Sequence, residues 1–154
     1  MAGKLILICG LPGAGKSTHA RSLETSLGAV RFCPDDWMDS LRFDLENTEA
    51  RGRIEQLQWV VAQRLLKIDQ TVLIEWGTWG RDERDVLRLK AKELGATVEL
   101  HYLDAPLDVL ERRIKERGEG PEITRELLCE WGDVFQRPSE QEESLYDAFL
   151  TVDS

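Results

Sequence analysis

The residues at positions 10–18, GLPGAGKST, have the side chains and spacing that bind phosphate. They fit the pattern G-x-x-x-x-G-K-[ST] through Gly10, Gly15, Lys16 and Ser17. Glycines let successive backbone N–H groups turn inward around phosphate oxygens, while the lysine reaches the outer phosphates and the serine hydroxyl can ligate Mg²⁺. The remaining residues predicted to bind the nucleotide are Pro12, Gly13, Ala14 and Thr18.

A pair of aspartates in FCPDDWMD, residues 32–39, supplies a second group with possible chemistry. Asp35 and Asp36 follow a short apolar run and precede a predicted helix. A carboxylate at the carboxyl end of a strand beside a phosphate loop can position a hydroxyl group and take its proton. The same position suits a helix cap, so the residues alone leave both roles open.

The elements that must position these groups alternate between strands and helices. KLILIC (4–9) is a continuous apolar run, typical of a strand covered on both faces. The predicted strands are 4–9, 29–33, 71–76, 97–103 and 147–152, and the predicted helices are 16–27, 37–46, 49–68, 82–95, 106–118 and 124–135. In the helix 49–68 the predicted buried face consists of Ile54, Leu57, Val61, Leu65 and Ile68. This alternation predicts an α/β fold with a five-stranded parallel sheet and helices on both faces, and it places the phosphate loop between a strand and a helix.

Composition narrows the class of protein. The 154 residues predict a single domain, 1–154, and a formal net charge of −9 argues against mainly electrostatic binding of nucleic acid. No apolar run approaches the roughly 18–20 residues that span a bilayer, so a cytoplasmic protein without membrane association is predicted. Cys9, Cys33 and Cys129 show no C-x-x-C spacing and are expected to be reduced thiols, mostly buried.

Three classes of nucleotide-binding protein can be compared with the rest of the sequence. Regulatory GTPases usually recognise guanine through N-K-x-D, and the sole asparagine, Asn47, has no such context. A motor-type or oligomeric ATPase needs more chain and an apolar strand ending in Asp-Glu, whereas TVLIEW offers only Glu75. A small phosphotransferase is therefore favoured.

The chain resembles the small P-loop kinases of the nucleoside-monophosphate-kinase type. It is most similar to the kinase domain of polynucleotide kinases and to related O-phosphotransferases of the zeta-toxin and chloramphenicol-phosphotransferase kinds. The shared segments are LICGLPGAGKSTHAR, DDW and RRIKERG, which together span residues 4–118, with weaker similarity in FQRPSEQEE. The resemblance implies a three-layer P-loop NTPase fold with a small lid at about 112–123, and ATP and Mg²⁺ as cofactors.

The same resemblance assigns roles to charged residues. It implies that Asp35 is the general base and that Asp36 is the better N-cap candidate. The polynucleotide-kinase pattern carries an arginine two residues after the pair, where this chain has Met38, which argues against a phosphorylated acceptor. It also implies that Arg113 and Arg117 close over ATP as lid residues. From the residues alone, these arginines could instead form a solvated basic face.

The acceptor site is expected between the second and third strands, at about 36–70, and at the end of the third strand. The predicted acceptor contacts are Asp35, Trp37, Glu75, Thr78 and Trp79. Several tryptophans favour a flat or apolar-faced acceptor, although any one of them could be a core residue. An acidic crevice could instead suit a cationic acceptor.

The prediction is an ATP- and Mg²⁺-dependent kinase acting on a hydroxyl of a nucleoside, sugar or antibiotic-like acceptor. The alternatives are a 5′-hydroxyl polynucleotide kinase and a nucleotide-binding regulator or toxin component without its own small substrate. The sequence leaves open the acceptor, ATP against GTP, the oligomeric state, and whether Asp36 or Glu75 helps to position the metal.

Overall fold

A computed structural model describes residues 3–118 and 123–153 and contains one parallel sheet. Its strands are β1 Lys4–Cys9, β2 Val30–Phe32, β3 Thr71–Gly77, β4 Thr97–Asp104 and β5 Ala148–Asp153, in the spatial order β2-β3-β1-β4-β5. The described helices are α1 Lys16–Leu27, α2 Pro34–Ser40, α3 Thr48–Lys67, α4 Arg81–Glu93, α5 Leu107–Glu116, α6 Arg125–Val134 and α7 Glu140–Glu143. The predicted α/β fold with a five-stranded parallel sheet is confirmed.

The apolar run of β1 is buried because both faces of the sheet are covered. Leu5 and Leu7 belong to the core on the side of α3 and α4, whereas Ile6 and Ile8 belong to the core on the side of α1 and α5. All three cysteines are free thiols; Cys9 and Cys33 are buried and Cys129 is exposed. None of the described helices is long and apolar enough to cross a bilayer.

The helix after β2 differs from the predicted span of 37–46. It begins at Pro34, which is favoured in a first helical turn because its missing N–H has no intrahelical partner there, and it ends at Ser40. Cys33 is the N-cap, so Asp35 and Asp36 lie inside the first turn. The prediction that Asp36 caps this helix is therefore wrong. The chain then turns through Arg42, which has a φ of 62°.

The buried face of α3 also differs from the prediction. It consists of Ala50, Ile54, Gln58, Ala62 and Leu66, at a regular spacing of four. Leu57 is 55% exposed and Ile68 is 64% exposed, so these two members of the predicted face are not core residues. The prediction counted only large apolar side chains, whereas small alanines and an amide occupy much of the contact with the sheet.

A buried ion pair joins α4 to the C-terminal helix α7. Arg84 donates from Nε to Glu142 Oε2 at 2.7 Å and from Nη2 to Glu142 Oε1 at 2.9 Å, and both side chains are almost fully buried. Its other donors reach the carbonyl oxygens of Thr78 at 2.7 Å and Gln136 at 2.6 Å. This arginine therefore fixes the backbone immediately after β3.

Replacing Glu142 by leucine is expected to lower the free energy of unfolding by about 3–5 kcal/mol, because Arg84 stays charged and buried without its carboxylate. The double variant Glu142→Leu/Arg84→Met should recover part of that loss, since no buried charge remains, although the carbonyl oxygens of Thr78 and Gln136 lose their donor. Urea unfolding measures both effects. Glu49→Gln, which breaks an exposed pair with Arg53, is the matched control and should change little. A Glu142→Leu protein as stable as this control would contradict a structural role for the pair.

Candidate functional site

The phosphate loop connects the carboxyl end of β1 to the N-terminus of α1 and packs directly on α5. Gly13 has a φ of 85°, and a Cβ there would lie 3.0 Å from the Leu110 carbonyl oxygen and 3.2 Å from Ile114 Cγ1. Glycine is required at this position because both the backbone conformation and the space exclude a side chain. The loop leads directly into α1, so its amides lie beside the N-terminus of that helix, where the helix dipole favours an anion.

Lys16 lies at the end of the phosphate loop, and several charged groups of the site act on its ammonium group. Its Nζ donates to the carbonyl oxygens of Gly10 and Leu11, both at 3.0 Å. Burial lowers the pKa of Lys16, the nearby Glu75, Cys9 and Asp35 oppose that shift, and Arg117 adds to it. Residues predicted from three distant parts of the sequence, Asp35, Glu75 and Arg117, are thus close enough to Lys16 to affect its charge.

A chain of hydrogen bonds leads from the phosphate loop to the first turn of α2. Ser17 Oγ donates to Glu75 Oε2 at 2.8 Å, and Arg31 Nε donates to Glu75 Oε1 at 2.9 Å. Arg31 Nη1 then donates to Asp36 Oδ2 at 2.7 Å. Glu75 is buried at the end of β3 and occupies the position from which a carboxylate can share a metal ion with Ser17.

Arg31 is a site residue that the sequence analysis missed. Its side chain is only 8% exposed in β2, and its Nη2 has no hydrogen-bond partner in the described part of the chain. Burial alone would lower the pKa of Arg31, but the hydrogen bonds and charges of Glu75 and Asp36 raise it above its ordinary value. The available signal was an arginine inside the short apolar strand VRF, where a charge needs a buried partner.

Asp35 lies in the same helical turn as Asp36 but has a different partner. Its side chain is 57% exposed and forms an ion pair with Arg51 of α3. Met38, by contrast, is fully buried and packs with Ala50 and Ile54. The position that the polynucleotide-kinase pattern uses for an arginine therefore serves core packing in this protein.

The predicted acceptor contacts at the end of β3 have distinct surroundings. Thr78 is buried, has a φ of 38°, and its Oγ1 has no hydrogen-bond partner among the described residues. Trp79 packs against Trp131 and Phe135, with ring centroids 6.0 and 6.4 Å apart. These contacts attach Trp79 to the C-terminal aromatic cluster, whereas Thr78 remains at the strand end beside Glu75.

The remaining tryptophans are partly buried around β2, β3 and α3. Trp37 packs on Phe32, with centroids 6.1 Å apart, and Trp76 donates from Nε1 to Gln58 Oε1 at 2.8 Å. Trp59 is also packed against the core beside the sheet. Their exposure is intermediate, so each serves packing and retains some surface for a ligand.

Glu55 adds a titratable carboxyl group that the sequence analysis did not single out. Burial, together with Glu83 and Asp35, raises its pKa to about 7, although Arg51 opposes the shift. The surroundings of Asp35 thus include Arg51 and Glu55, and the carboxyl group of Glu55 is close to half-ionised at neutral pH.

A cavity of about 570 Å³ lies on the other side of the phosphate loop. Its walls come from α1, α5 and the carboxyl ends of β4 and β5, and include Thr18, Ser22, Leu103, Arg113, Arg117 and Val152. Arg113 Nη1 donates to the Gly13 carbonyl oxygen at 3.1 Å, which ties α5 to the phosphate loop. Of the predicted lid at 112–123, residues 119–122 lie outside the described residues.

The sheet order, the phosphate loop at the end of β1 and the Ser17–Glu75 contact define a P-loop nucleoside-triphosphatase fold of the kind found in small kinases. Solved structures of kinases share it over most of this chain. A family model described as an AAA domain matches residues 5–138, and the chain belongs to that family.

Three solved structures illustrate the likeness. The gluconokinase from Sinorhizobium meliloti 1021 is 19% identical with a TM-score of 0.64, covering 99% of this chain and 82% of that one. The APS kinase CysC of Mycobacterium tuberculosis, in complex with AMPPNP and APS, is 23% identical with a TM-score of 0.66, covering 97% of this chain and 88% of that one. A chain of the Pnkp1/Rnl/Hen1 RNA repair complex is 22% identical with a TM-score of 0.74, covering 95% and 47%. The predicted resemblance to small P-loop kinases is confirmed.

A curated relative gives a similar but coarser description. A nucleotide-binding protein from Desulforudis audaxviator (strain MP104C) is 36% identical over 119 residues, which are 75% of this chain. The match spans only 35% of the relative's length, so the relative contains much that this chain does not match.

Proposed function

We propose that this protein is an ATP- and Mg²⁺-dependent phosphotransferase acting on a hydroxyl group of a small organic acceptor. The observation that carries the proposal is the hydrogen bond from Ser17 Oγ to Glu75 Oε2 at 2.8 Å beside the phosphate loop that Lys16 supports; Asp35 and Arg117 also act on the charge of Lys16. A phosphate-binding lysine, a carboxylate beside the metal-binding hydroxyl, a base and a lid cation are the parts that phosphoryl transfer requires.

The residues divide the work as follows. Lys16 and the loop amides hold the phosphates of ATP, and the Ser17 hydroxyl and Glu75 carboxylate offer the oxygen donors that Mg²⁺ prefers. Bound there, Mg²⁺ would neutralise phosphate charge. Asp35 takes the proton from the acceptor hydroxyl. The oxygen of that hydroxyl forms a bond to the terminal phosphorus of ATP, and the bond between this phosphorus and ADP breaks. Arg113 and Arg117 stabilise the charge that develops on the transferring group.

An acceptor that binds at Asp35 must break the ion pair between Asp35 and Arg51. The acceptor hydroxyl replaces Arg51 as the partner of Asp35, which leaves the guanidinium beside the bound acceptor. Glu55 on the same side is near half-ionised at neutral pH, so it can serve as hydrogen-bond donor or acceptor. This mixed environment suits a polar, hydroxyl-rich acceptor such as a nucleoside, a sugar or an antibiotic-like molecule.

A 5′-hydroxyl polynucleotide kinase is the second candidate. The burial of Met38 weakens the argument against a phosphorylated acceptor, because that side chain serves packing and its missing charge says little about the ligand. Arg51 beside Asp35 could contact a nucleic-acid phosphate, and the likeness to a chain of an RNA repair complex supports the same idea. The net charge of −9 favours the small acceptor.

The experiment that tests the proposal is ADP release from ATP and Mg²⁺ across a panel of nucleosides, sugars, antibiotics and oligonucleotides. Stimulation by one class of small acceptor, absent in an Asp35→Asn protein, is the expected result. Stimulation by oligonucleotides alone, with strong salt dependence, would favour the second candidate. Tight ATP binding without transfer to any acceptor would instead support a nucleotide-binding regulator or toxin component.

Arg31 is expected to act on the metal site through Glu75. Arg31→Met removes both of its hydrogen bonds, so Glu75 is no longer held towards Ser17, and the Mg²⁺ concentration for half-maximal activity should rise about 10-fold or more. Arg31→Lys should lie between this variant and the wild type. ATP binding measured without Mg²⁺ should change little, which separates loss of metal positioning from unfolding. An unchanged Mg²⁺ dependence in Arg31→Met would contradict this role.

A further inference from the structure

Four polar side chains form a continuous chain that the proposed phosphoryl transfer does not use. Lys4 Nζ lies 2.9 Å from Glu99 Oε2, and Glu99 Oε1 lies 3.1 Å from His101 Nε2. His101 Nδ1 lies 2.9 Å from His19 Nε2. The chain runs from the start of β1, across β4, to α1 directly after the phosphate loop.

The register of the sheet explains this alignment. Glu99, His101 and Leu103 alternate along β4 and therefore point to the same face, the one that α1 covers. His101 is only 2% exposed, and its surroundings on this face include apolar core residues such as Ile6 and Ile8. A buried imidazole in such a layer needs a partner on each nitrogen, and Glu99 and His19 provide them.

The partners also determine which nitrogen of each ring carries a proton. Burial alone would raise the pKa of Glu99, but Lys4 and His101 lower it, so Glu99 is an ionised acceptor. His101 Nε2 therefore donates to Glu99, which leaves Nδ1 of the neutral ring as an acceptor. His19 Nε2 must then donate to His101, and the lone pair of His19 Nδ1 is left for another donor.

His19 belongs to the wall of the 570 Å³ cavity beside the phosphate loop. Thr18 and Ser22 on the same helix line this cavity, and Leu103, two residues after His101, closes it from β4. Arg113 and Arg117 face it from α5. A nucleoside whose phosphates occupy the loop at positions 10–18 would extend into this cavity, because it opens from Gly13 and Gly15.

We propose that His19 determines nucleotide specificity, accepting a hydrogen bond at Nδ1 from a donor group of the bound nucleoside, with His101 and Glu99 as positioning residues. This inference rests on the proposed function only in requiring that the cavity bind a nucleoside triphosphate. The donor is an exocyclic amine of the base or a ribose hydroxyl, and both present the same chemistry to an imidazole lone pair.

The test measures binding of nucleotides without acceptor, so that it does not depend on phosphoryl transfer. The probes are ATP, purine riboside triphosphate, which lacks only the exocyclic amine, and 2′-deoxy- and 3′-deoxy-ATP, which each lack one hydroxyl. At pH 8 the wild type should bind ATP about three- to tenfold more tightly than one of these analogues. The analogue that loses affinity identifies the donor.

Four variants test whether the preference for ATP depends on His19 and on its positioning by His101. His19→Leu should bind ATP and that analogue equally, and His101→Leu should lose most of the discrimination. His101→Asn should retain more of it, since its amide oxygen can accept from His19 Nε2 as Nδ1 does. Arg21→Gln, an exposed change on the same helix, is the matched control and should preserve the wild-type ratio.

The partial rescue by His101→Asn supplies a readout that a merely structural role would not change. Equal affinity of the wild type for ATP and all three analogues, or the same discrimination in His19→Leu as in wild type, would overturn the inference. An equal loss of discrimination in His101→Leu and His101→Asn would exclude His101 as the positioning residue. Absence of any ATP binding by the wild type would overturn the proposed function as well.

Discussion

Replacement of Asp35 by asparagine is expected to lower the rate of phosphoryl transfer by about 10²- to 10⁴-fold. Asparagine keeps the size of the side chain but cannot take a proton from the acceptor hydroxyl. Asp35 lies on α2 and is not part of the loop predicted to hold the phosphates, so the affinity for ATP should stay within about twofold. Single-turnover transfer and equilibrium ATP binding, measured on the same preparation, check the two halves of this prediction.

The matched control for that experiment is Asp39→Asn, an exposed carboxylate one turn further along α2. Asp35→Asn also breaks the ion pair with Arg51, so its unfolding curve should be compared with that of Arg51→Met, which breaks the same pair from the other side. Full transfer activity in Asp35→Asn would exclude it as the general base.

Replacement of Lys16 by alanine is expected to reduce turnover by about 10³-fold or more and to weaken ATP binding as well. Lys16 already bridges the carbonyl oxygens of Gly10 and Leu11, so its loss removes both the charge for the phosphates and a support of the loop. Lys16→Arg should also be impaired, because the larger guanidinium does not fit a site shaped around a single ammonium group.

Titration calorimetry with ATP and Mg²⁺ and the ADP-release assay measure the two effects of Lys16→Ala. Lys67→Ala, which removes an exposed lysine at the end of α3, controls for a change in net charge. ATP affinity and turnover equal to those of the control would show that the cavity and loop at positions 10–18 are not the nucleotide site.

The features predicted correctly from the sequence are those that depend on residues close together in the chain. A continuous apolar run, a glycine-rich loop and a following helix are encoded within about 25 residues, so β1, the phosphate loop and α1 follow from local sequence. Alternation of strands and helices then determined the parallel sheet. Which strands would be neighbours was left open by the sequence, and the structure gives the order β2-β3-β1-β4-β5.

One error concerns a helix boundary and another concerns a packing face. Asp36 does not cap α2 because the helix already begins at Pro34, which places Asp36 inside the first turn, where it accepts from Arg31. The face of α3 was mispredicted because close packing against the sheet and α2 places Ala50, Gln58 and Ala62 at buried positions in place of larger residues. The burial of Met38 was likewise not visible in its neighbours along the sequence, because it depends on α3.

The hydrogen-bond chain through Glu75 and Arg31 connects the two ligand sites of the proposed function. Glu75 accepts from Ser17 on the proposed nucleotide side and from Arg31, which also donates to Asp36 beside the proposed base Asp35. We therefore expect a metal ion bound at Glu75 to alter the restraint on α2, and an acceptor that moves α2 to alter the metal site. Thermodynamic linkage would make this influence reciprocal, so that Mg²⁺–ATP and the acceptor change each other's affinity by the same factor. Synergistic substrate binding would then depend on one arginine in the shortest strand of the sheet.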